Sequence, residues 1–230
     1  MTRAAAALLD LLGPRACAAC DTPGRQPFCP DCESRIVSAP LLRIHGVDVL
    51  GAASYTRSVS RAVCRLKYEN RPDLAVPLGA FLAARLPQPR LSPDCLLVPV
   101  PLHPRRLAER GYNQAALLAY QLSRRIAARW DPLALCRVRN TPQLAGSSPG
   151  ARAAATQHAF VVRHPRRLRH ARVVLVDDVV TTGATAGACV AALRAAEVAP
   201  SCVVAVAVAG GPPPDRLPDG TESFDSLEHF

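Results

Sequence analysis

Apolar positions along the chain follow two spacings, one helical and one extended. Val49–Tyr55 alternates as a strand does, and Ser58–Tyr68 then sets Val59, Ala62, Val63 and Leu66 on one helical face. Asp73 is placed to cap a further helix running to about Leu86, which Pro87-Gln88-Pro89-Arg90 ends. Cys95–Val100 is a short apolar run between prolines, the pattern of a buried strand. A helix from about Gly111 to Arg129 follows, with Ala115, Leu118, Leu122 and Ile126 inward, then a short strand over Leu133–Val138. Val173–Val176 is an unbroken run of Val and Leu, as in a central parallel strand. Gly183–Ala196 reads as a small-residue helix and Cys202–Val208 as a second buried strand. Strands alternating with helices predict an α/β fold, a parallel sheet with helices on both faces.

Three stretches lack this periodicity. Residues 1–40 form a separate segment: a short amphipathic helix over Met1–Leu12, interrupted by Asp10, then four crowded cysteines and a Ser38-Ala39-Pro40 exit. Arg139–Gly150 is rich in Gly, Pro, Ser, Thr and Gln and reads as a long mobile loop able to close over a site. The Pro-rich tail after Gly210 is expected to be poorly ordered. The expected division is therefore 1–40, 41–212 and 213–230. No stretch approaches the ~20 apolar residues of a membrane span, so a soluble, cytoplasmic protein is expected.

Composition sharpens this picture in two respects. The net charge is +10, and Lys67 is the only lysine among 28 basic residues. A basic surface favours anionic partners, although a solvated surface with no specific partner fits equally. The run Arg163–His170 reads as a solvated connection, with a track for a nucleic-acid backbone as the alternative. Nine cysteines is an odd number, and five of them are scattered among apolar neighbours, which argues for a reducing compartment over a disulfide framework.

The richest chemistry lies in Val173-Val174-Leu175-Val176-Asp177-Asp178-Val179-Val180-Thr181-Thr182-Gly183-Ala184-Thr185. A buried strand ends in two carboxylates, and a hydroxyl-rich loop then opens a helix. Ligands of open α/β sheets sit beyond the carboxyl ends of strands, and a helix N-terminus offers free N–H groups to phosphate. Gly183 admits a close backbone approach, and Thr181, Thr182 and Thr185 add donors. Asp177 and Asp178 can accept hydrogen bonds from vicinal sugar hydroxyls. A phosphate site beside a diol site describes a ribose 5-phosphate. A simple capped strand-to-helix turn accounts for one Thr and the Gly, but not for two adjacent acids at the end of a buried strand.

The cysteine cluster is Cys17-x-x-Cys20 and Cys29-x-x-Cys32. Each pair is a knuckle, and together they supply four thiolates for one tetrahedral ion. A closed four-sulfur shell predicts a structural zinc site with no open position.

The thirteen-residue run resembles the motif that binds phosphoribosyl diphosphate (PRPP) in type I phosphoribosyltransferases. Further segments extend a likeness over about residues 5–209: Leu66-Lys67-Tyr68, Val98-Pro99-Val100-Pro101-Leu102-His103, Arg105-Arg106, Glu109-Arg110-Gly111-Tyr112-Asn113-Gln114, and Arg139-x-Thr141-x-Gln143. With the cysteine knuckle, they resemble the ComF family, competence-protein-F-like phosphoribosyltransferase homologues. The chain departs from that pattern where Arg152 leads to Ala155, Thr156 and Gln157 before Ala159-Phe160, in place of a family Asn. The resemblance implies a type I phosphoribosyltransferase-like domain behind the zinc knuckle. PRPP would be bound with Mg²⁺ by Asp177, Asp178, Thr181, Thr182, Gly183, Ala184 and Thr185. By position, Lys67, Arg105, Arg106 and Arg110 are candidate pyrophosphate ligands. Two functions remain open on this reading. One is transfer of phosphoribosyl to a nitrogen acceptor with release of pyrophosphate. The other is a non-catalytic PRPP-binding factor handling single-stranded DNA, or meeting competence-machinery proteins, during natural transformation. Scarce aromatics, 4% of residues, count against the stacking platforms of tight single-strand binding.

Overall fold

A computed structural model of the protein describes residues 16–87, 90–139 and 159–209. The expected helix over residues 1–12, Thr141, Gln143, Arg152 and the tail lie outside the described residues. A short helix α1 (Pro30–Glu33) precedes the edge strand β1 (Leu42–Ile44) and β2 (Val47–Ser54). Helix α2 (Arg57–Tyr68), a single 3-10 turn at Pro72–Leu74 and α3 (Ala75–Arg85) lead into β3 (Cys95–Pro99). Two helices, α4 (Pro104–Arg110) and α5 (Gln114–Ile126), connect β3 to β4 (Arg129–Trp130). A ribbon of β5 (Leu135–Arg137) and β6 (Phe160–Val162) and a four-residue helix α6 (Pro165–Leu168) precede β7 (Arg172–Val180), α7 (Ala184–Ala195) and β8 (Cys202–Val208).

The main sheet has the order β1-β2-β8-β7-β3-β4. Only β1 runs antiparallel to its neighbour; every other pairing in this sheet is parallel. Alternation along β7 assigns its two faces. Val174 and Val176 pack with Leu66, Leu78, Leu82, Leu118 and Leu122 of α2, α3 and α5. Val173 and Leu175 pack with Cys189, Val190 and Leu193 of α7 and with Leu135 and Phe160 of the ribbon. All four β7 residues are fully buried, and each buried Val or Leu contributes roughly 1.5–3 kcal/mol. Helices therefore cover both faces, as the alternating pattern predicts.

Several boundaries differ from the sequence expectations. The helix expected from Gly111 begins at Gln114, because Asn113 caps it by accepting from Ala115 N (3.0 Å) and Ala116 N (3.4 Å). Gly111 instead ends α4 in the left-handed region at φ 80°. Asp73 caps nothing: Arg71 holds its carboxylate at 2.8–3.1 Å. β1, β4, β6 and α4 lack a periodic signal, being two to seven residues long.

Candidate functional site

The acidic pair lies inside β7, not after it. The sequence predicts a strand ending at Val176, but β8 stays alongside β7 as far as Val180↔Val208. On the other flank β3 departs, its last pair being Pro99↔Val176, followed by Val100 N–H to Val176 O at 2.8 Å. Pro99 costs no hydrogen bond, because β4 stops at Leu97↔Trp130 and leaves that edge unpaired. The β3 chain crosses outward to β4 while the β7 chain crosses the other way to β8. This reversal opens a crevice between β3 and β7, the place where open α/β sheets bind ligands. Asp177 and Asp178 stand at its mouth.

The two acids have different surroundings. Pairing between β7 and β8 skips Asp178, whose N–H donates to Asp177 Oδ1 at 2.9 Å. Lys67 Nζ of α2 lies 2.5 Å from Asp178 Oδ2, an ion pair by distance although not angled as a hydrogen bond. Gln114 Nε2, in the first turn of α5, reaches Asp178 Oδ1 at 3.4 Å. Arg110 Nη1 donates to Gln114 Oε1 at 2.7 Å, and its guanidinium lies 5.2 Å above the Tyr68 ring. Asp177 lies toward the other face, where its charge reaches Cys189 of α7 and Arg137 of β5.

Electrostatics separates the pair. Burial, then the adjacent Asp178 charge, pushes the Asp177 carboxyl well above its ordinary range, with Lys67 opposing. Burial acts the same way on Asp178, but the Lys67 ammonium, joined by hydrogen bonds from Asp177 and Gln114, outweighs it and holds that carboxyl below its ordinary value. Lys67 is the mirror case: burial works against its charge, and Asp178 more than restores it. Like charges this close ionise in sequence rather than together.

Beyond the acids, Thr181 and Thr182 are exposed, and Thr182 Oγ1 accepts from Ala184 N at 3.4 Å. Gly183 holds φ 76° at the start of α7, and a Cβ there would run into the Ile44 side chain. The φ requires glycine, and so does the close approach of β1. Thr185 lies in the first turn of α7, whose leading N–H groups have no partner within the helix. Arg105 is 73% exposed and bound to Glu109 at 2.9 Å. Arg106 lies near enough to Arg137 that its charge, after burial, lowers the Arg137 guanidinium. Lys67, Arg110 and the acids thus converge, whereas Arg105 faces solvent. Gln114 joins them with no role assigned from sequence, although it closes the Arg110-Gly111-Tyr112-Asn113-Gln114 segment. Arg137 carries no sequence signal at all.

The cysteine knuckle forms a second centre. The Sγ atoms of Cys17, Cys20, Cys29 and Cys32 lie within 4.8 Å of one another, with Cys20 3.7 Å from both Cys29 and Cys32. Tetrahedral zinc with Zn–S bonds of ~2.3 Å sets sulfurs about 3.8 Å apart, so the four residues fit the ion. Thr22 pulls the Cys20 thiol down to about 6, while burial pushes the neighbouring Cys32 thiol up. The knuckle is fastened to α2 by Arg65, which is buried. Its Nη1 donates to Ala18 O at 3.0 Å, its Nε meets Glu69 at 3.1 Å, and its Nη2 pairs with Asp21. Phe28 packs edge-on against Phe81 of α3, ring centroids 5.0 Å apart.

No protein-family model matches the chain. Known proteins do. DNA utilization protein YhgH of Escherichia coli (strain K12) is 36% identical over 138 residues, 58% of this chain and 60% of that protein. The chain therefore spans about three fifths of the length of that relative. Competence protein F of Haemophilus influenzae is 35% identical over 138 residues, 57% of this chain and 59% of its own length. DNA utilization protein YhgH of Salmonella typhimurium is 33% identical over 174 residues, 74% of this chain and 73% of that protein. One third of the residues shared along nearly three quarters of both chains shows descent from a common fold, and the protein belongs to the ComF family.

Proposed function

We propose that the chain binds PRPP at the crevice between β3 and β7 and transfers its phosphoribosyl group to a nitrogen acceptor, releasing pyrophosphate. One observation carries the reading: an acidic pair, a threonine loop and the N-terminus of α7 follow one another at the sheet's topological switch point. The loop N–H groups and the Thr181, Thr182 and Thr185 hydroxyls suit a 5′-phosphate. A carboxylate at the strand end suits the ribose diol, and Arg106 and Arg110 are the nearby cations for pyrophosphate oxygens. In the transfer, the C1–O bond to pyrophosphate breaks, a C1–N bond forms, and the acceptor nitrogen loses a proton. Mg²⁺, held mainly by the diphosphate oxygens, would supply charge neutralisation of the leaving group. The same grounds support a type I phosphoribosyltransferase-like fold.

Calorimetric titration of PRPP with Mg²⁺ tests this, beside Thr185→Val, which removes a phosphate donor and keeps the side-chain shape. The parent is expected to bind and the variant to lose about tenfold in affinity, one hydrogen bond to a charged group. A parent that does not bind PRPP removes the reading.

A second reading has its own support. Relatives carry the names DNA utilization protein and competence protein F, which favour a part in DNA uptake. Arg163, Arg166 and Arg167, around α6, are exposed and have no acidic partner among the described residues. On this reading they contact the DNA backbone, and the crevice senses PRPP without turnover.

A further inference from the structure

We infer that the acidic pair is divided in labour: Asp177 alone receives the sugar hydroxyls, and Asp178 is a positioning residue, a buried anion that with Lys67 and Gln114 fixes α2 and α5 against the end of β7. The inference rests on the PRPP reading for the ligand, but its second half stands on geometry alone.

Asp178 offers little open surface to a ligand. Its side chain is 4% exposed, one oxygen faces Lys67 at 2.5 Å, and the other accepts from Gln114 at 3.4 Å. Lys67 is committed in turn, at 13% exposure, to that carboxylate. Three elements distant in sequence meet here, and Arg110 adds a fourth by clamping Gln114 at 2.7 Å. Removing one member of such a pair strands a buried charge, which is far costlier than removing both. Asp177 is placed differently. It stands on the α7 face, four residues before Thr181, retains 8% exposure against 3% for Asp178, and spends one oxygen on the Asp178 N–H. The single lysine of an arginine-rich chain is also accounted for, since a planar guanidinium does not fit where a compact ammonium meets one carboxylate oxygen.

The decisive comparison is Asp177→Asn, Lys67→Met, Asp178→Asn and the double variant Lys67→Met/Asp178→Asn. Each is melted and titrated with PRPP and Mg²⁺. Both single changes in the pair are expected to lower Tm by about 5 to 15 °C, and the double variant to recover most of that loss. PRPP affinity of the double variant is expected within about threefold of the parent, while Asp177→Asn weakens it by about 10- to 100-fold with no loss of Tm. The pH profile supplies a readout that packing does not move. Asp177 is faced by Asp178, by Lys67 of α2, by Cys189 of α7 and by Arg137 of β5. Asp178→Asn removes a like charge, so the midpoint of PRPP affinity moves to lower pH. Lys67→Met leaves that charge unbalanced, so the midpoint moves up. A double variant with parental Tm that loses PRPP as severely as Asp177→Asn overturns the division, because Asp178 then touches the ligand. Additive losses of Tm overturn it as well. If the parent does not bind PRPP, the proposed function falls, and the melting cycle still decides whether Lys67 and Asp178 act as one unit.

Discussion

At the scale of single residues, the site is a problem of charge in a dry place. Asp177 is buried, and its carboxyl titrates above its ordinary range. A group whose folded pKa is raised contributes stability below its unfolded pKa and loses it as pH rises through the folded value. Asp177 therefore costs the protein stability at neutral pH. Asp178 works in the opposite sense, its contribution present above the ordinary carboxylate range and lost on acidification. Asp177→Asn is accordingly expected to melt higher than the parent at pH 7 to 8, with the difference vanishing below about pH 4. Melting scans across that range check it, and a variant less stable than the parent at neutral pH contradicts it. Such strain is a common cost of function, where a residue that binds well folds badly. The acids and the loop are legible from one contiguous run, since strand, carboxylates, threonines and glycine follow in order. Lys67 stands out in the sequence by its uniqueness and by the Leu66-Lys67-Tyr68 segment. That it meets Asp178, more than a hundred positions later, follows from packing and not from any local pattern.

At the scale of elements, α2 joins the two centres. Val59, Ala62, Val63 and Leu66 bury one face, as their spacing predicts, while Arg65 and Lys67 leave the helix in two directions. Arg65 holds the cysteine knuckle through Ala18 and Asp21; Lys67 holds the acidic pair. The knuckle also contributes Cys17, Phe28 and Cys32 to the core shared with α2 and α3. Zinc at the four sulfurs is thus expected to stabilise the core around α2 and α3 as well as its own segment. Metal analysis is expected to find about one zinc per chain, and a strong chelator to lower Tm by several degrees. Arg65→Ala is expected to cost about 2–3 kcal/mol, because it strands the Ala18 carbonyl and removes a buried charge from Asp21. An unchanged Tm after metal removal shows the knuckle to be an independent appendage. The split of α4 from α5 belongs to the same scale. Hydrophobic spacing marks α5 but not α4, and the left-handed Gly111 with the Asn113 cap sets where the one ends and the other begins.

At the scale of the whole molecule, the mostly parallel sheet places its switch point between β3 and β7, with the α7 N-terminus beside it. The exposed arginines Arg163, Arg166 and Arg167 lie in the connection that enters the opposite, amino end of β7. Crevice and basic face are therefore separate. If the second reading holds, single-stranded DNA binds with steep salt dependence, and changing these three arginines to Gln lowers both affinity and slope without altering PRPP binding. Fluorescence polarisation across a salt series checks this, and an unchanged slope assigns the arginines to solvent. Among the described residues no helix is long and apolar enough to cross a membrane. The sequence by itself determined the alternation of strands and helices, the four-sulfur knuckle and the order of acids, threonines and glycine, because each is a local pattern set by backbone period or ligand spacing. Only the tertiary structure decided that β7 runs through its acids, since that depends on β8 pairing beyond the point where β3 leaves. It also decided that the two acids differ, because the Lys67 ammonium, the Gln114 amide and the low dielectric around them come from segments that no local spacing brings together.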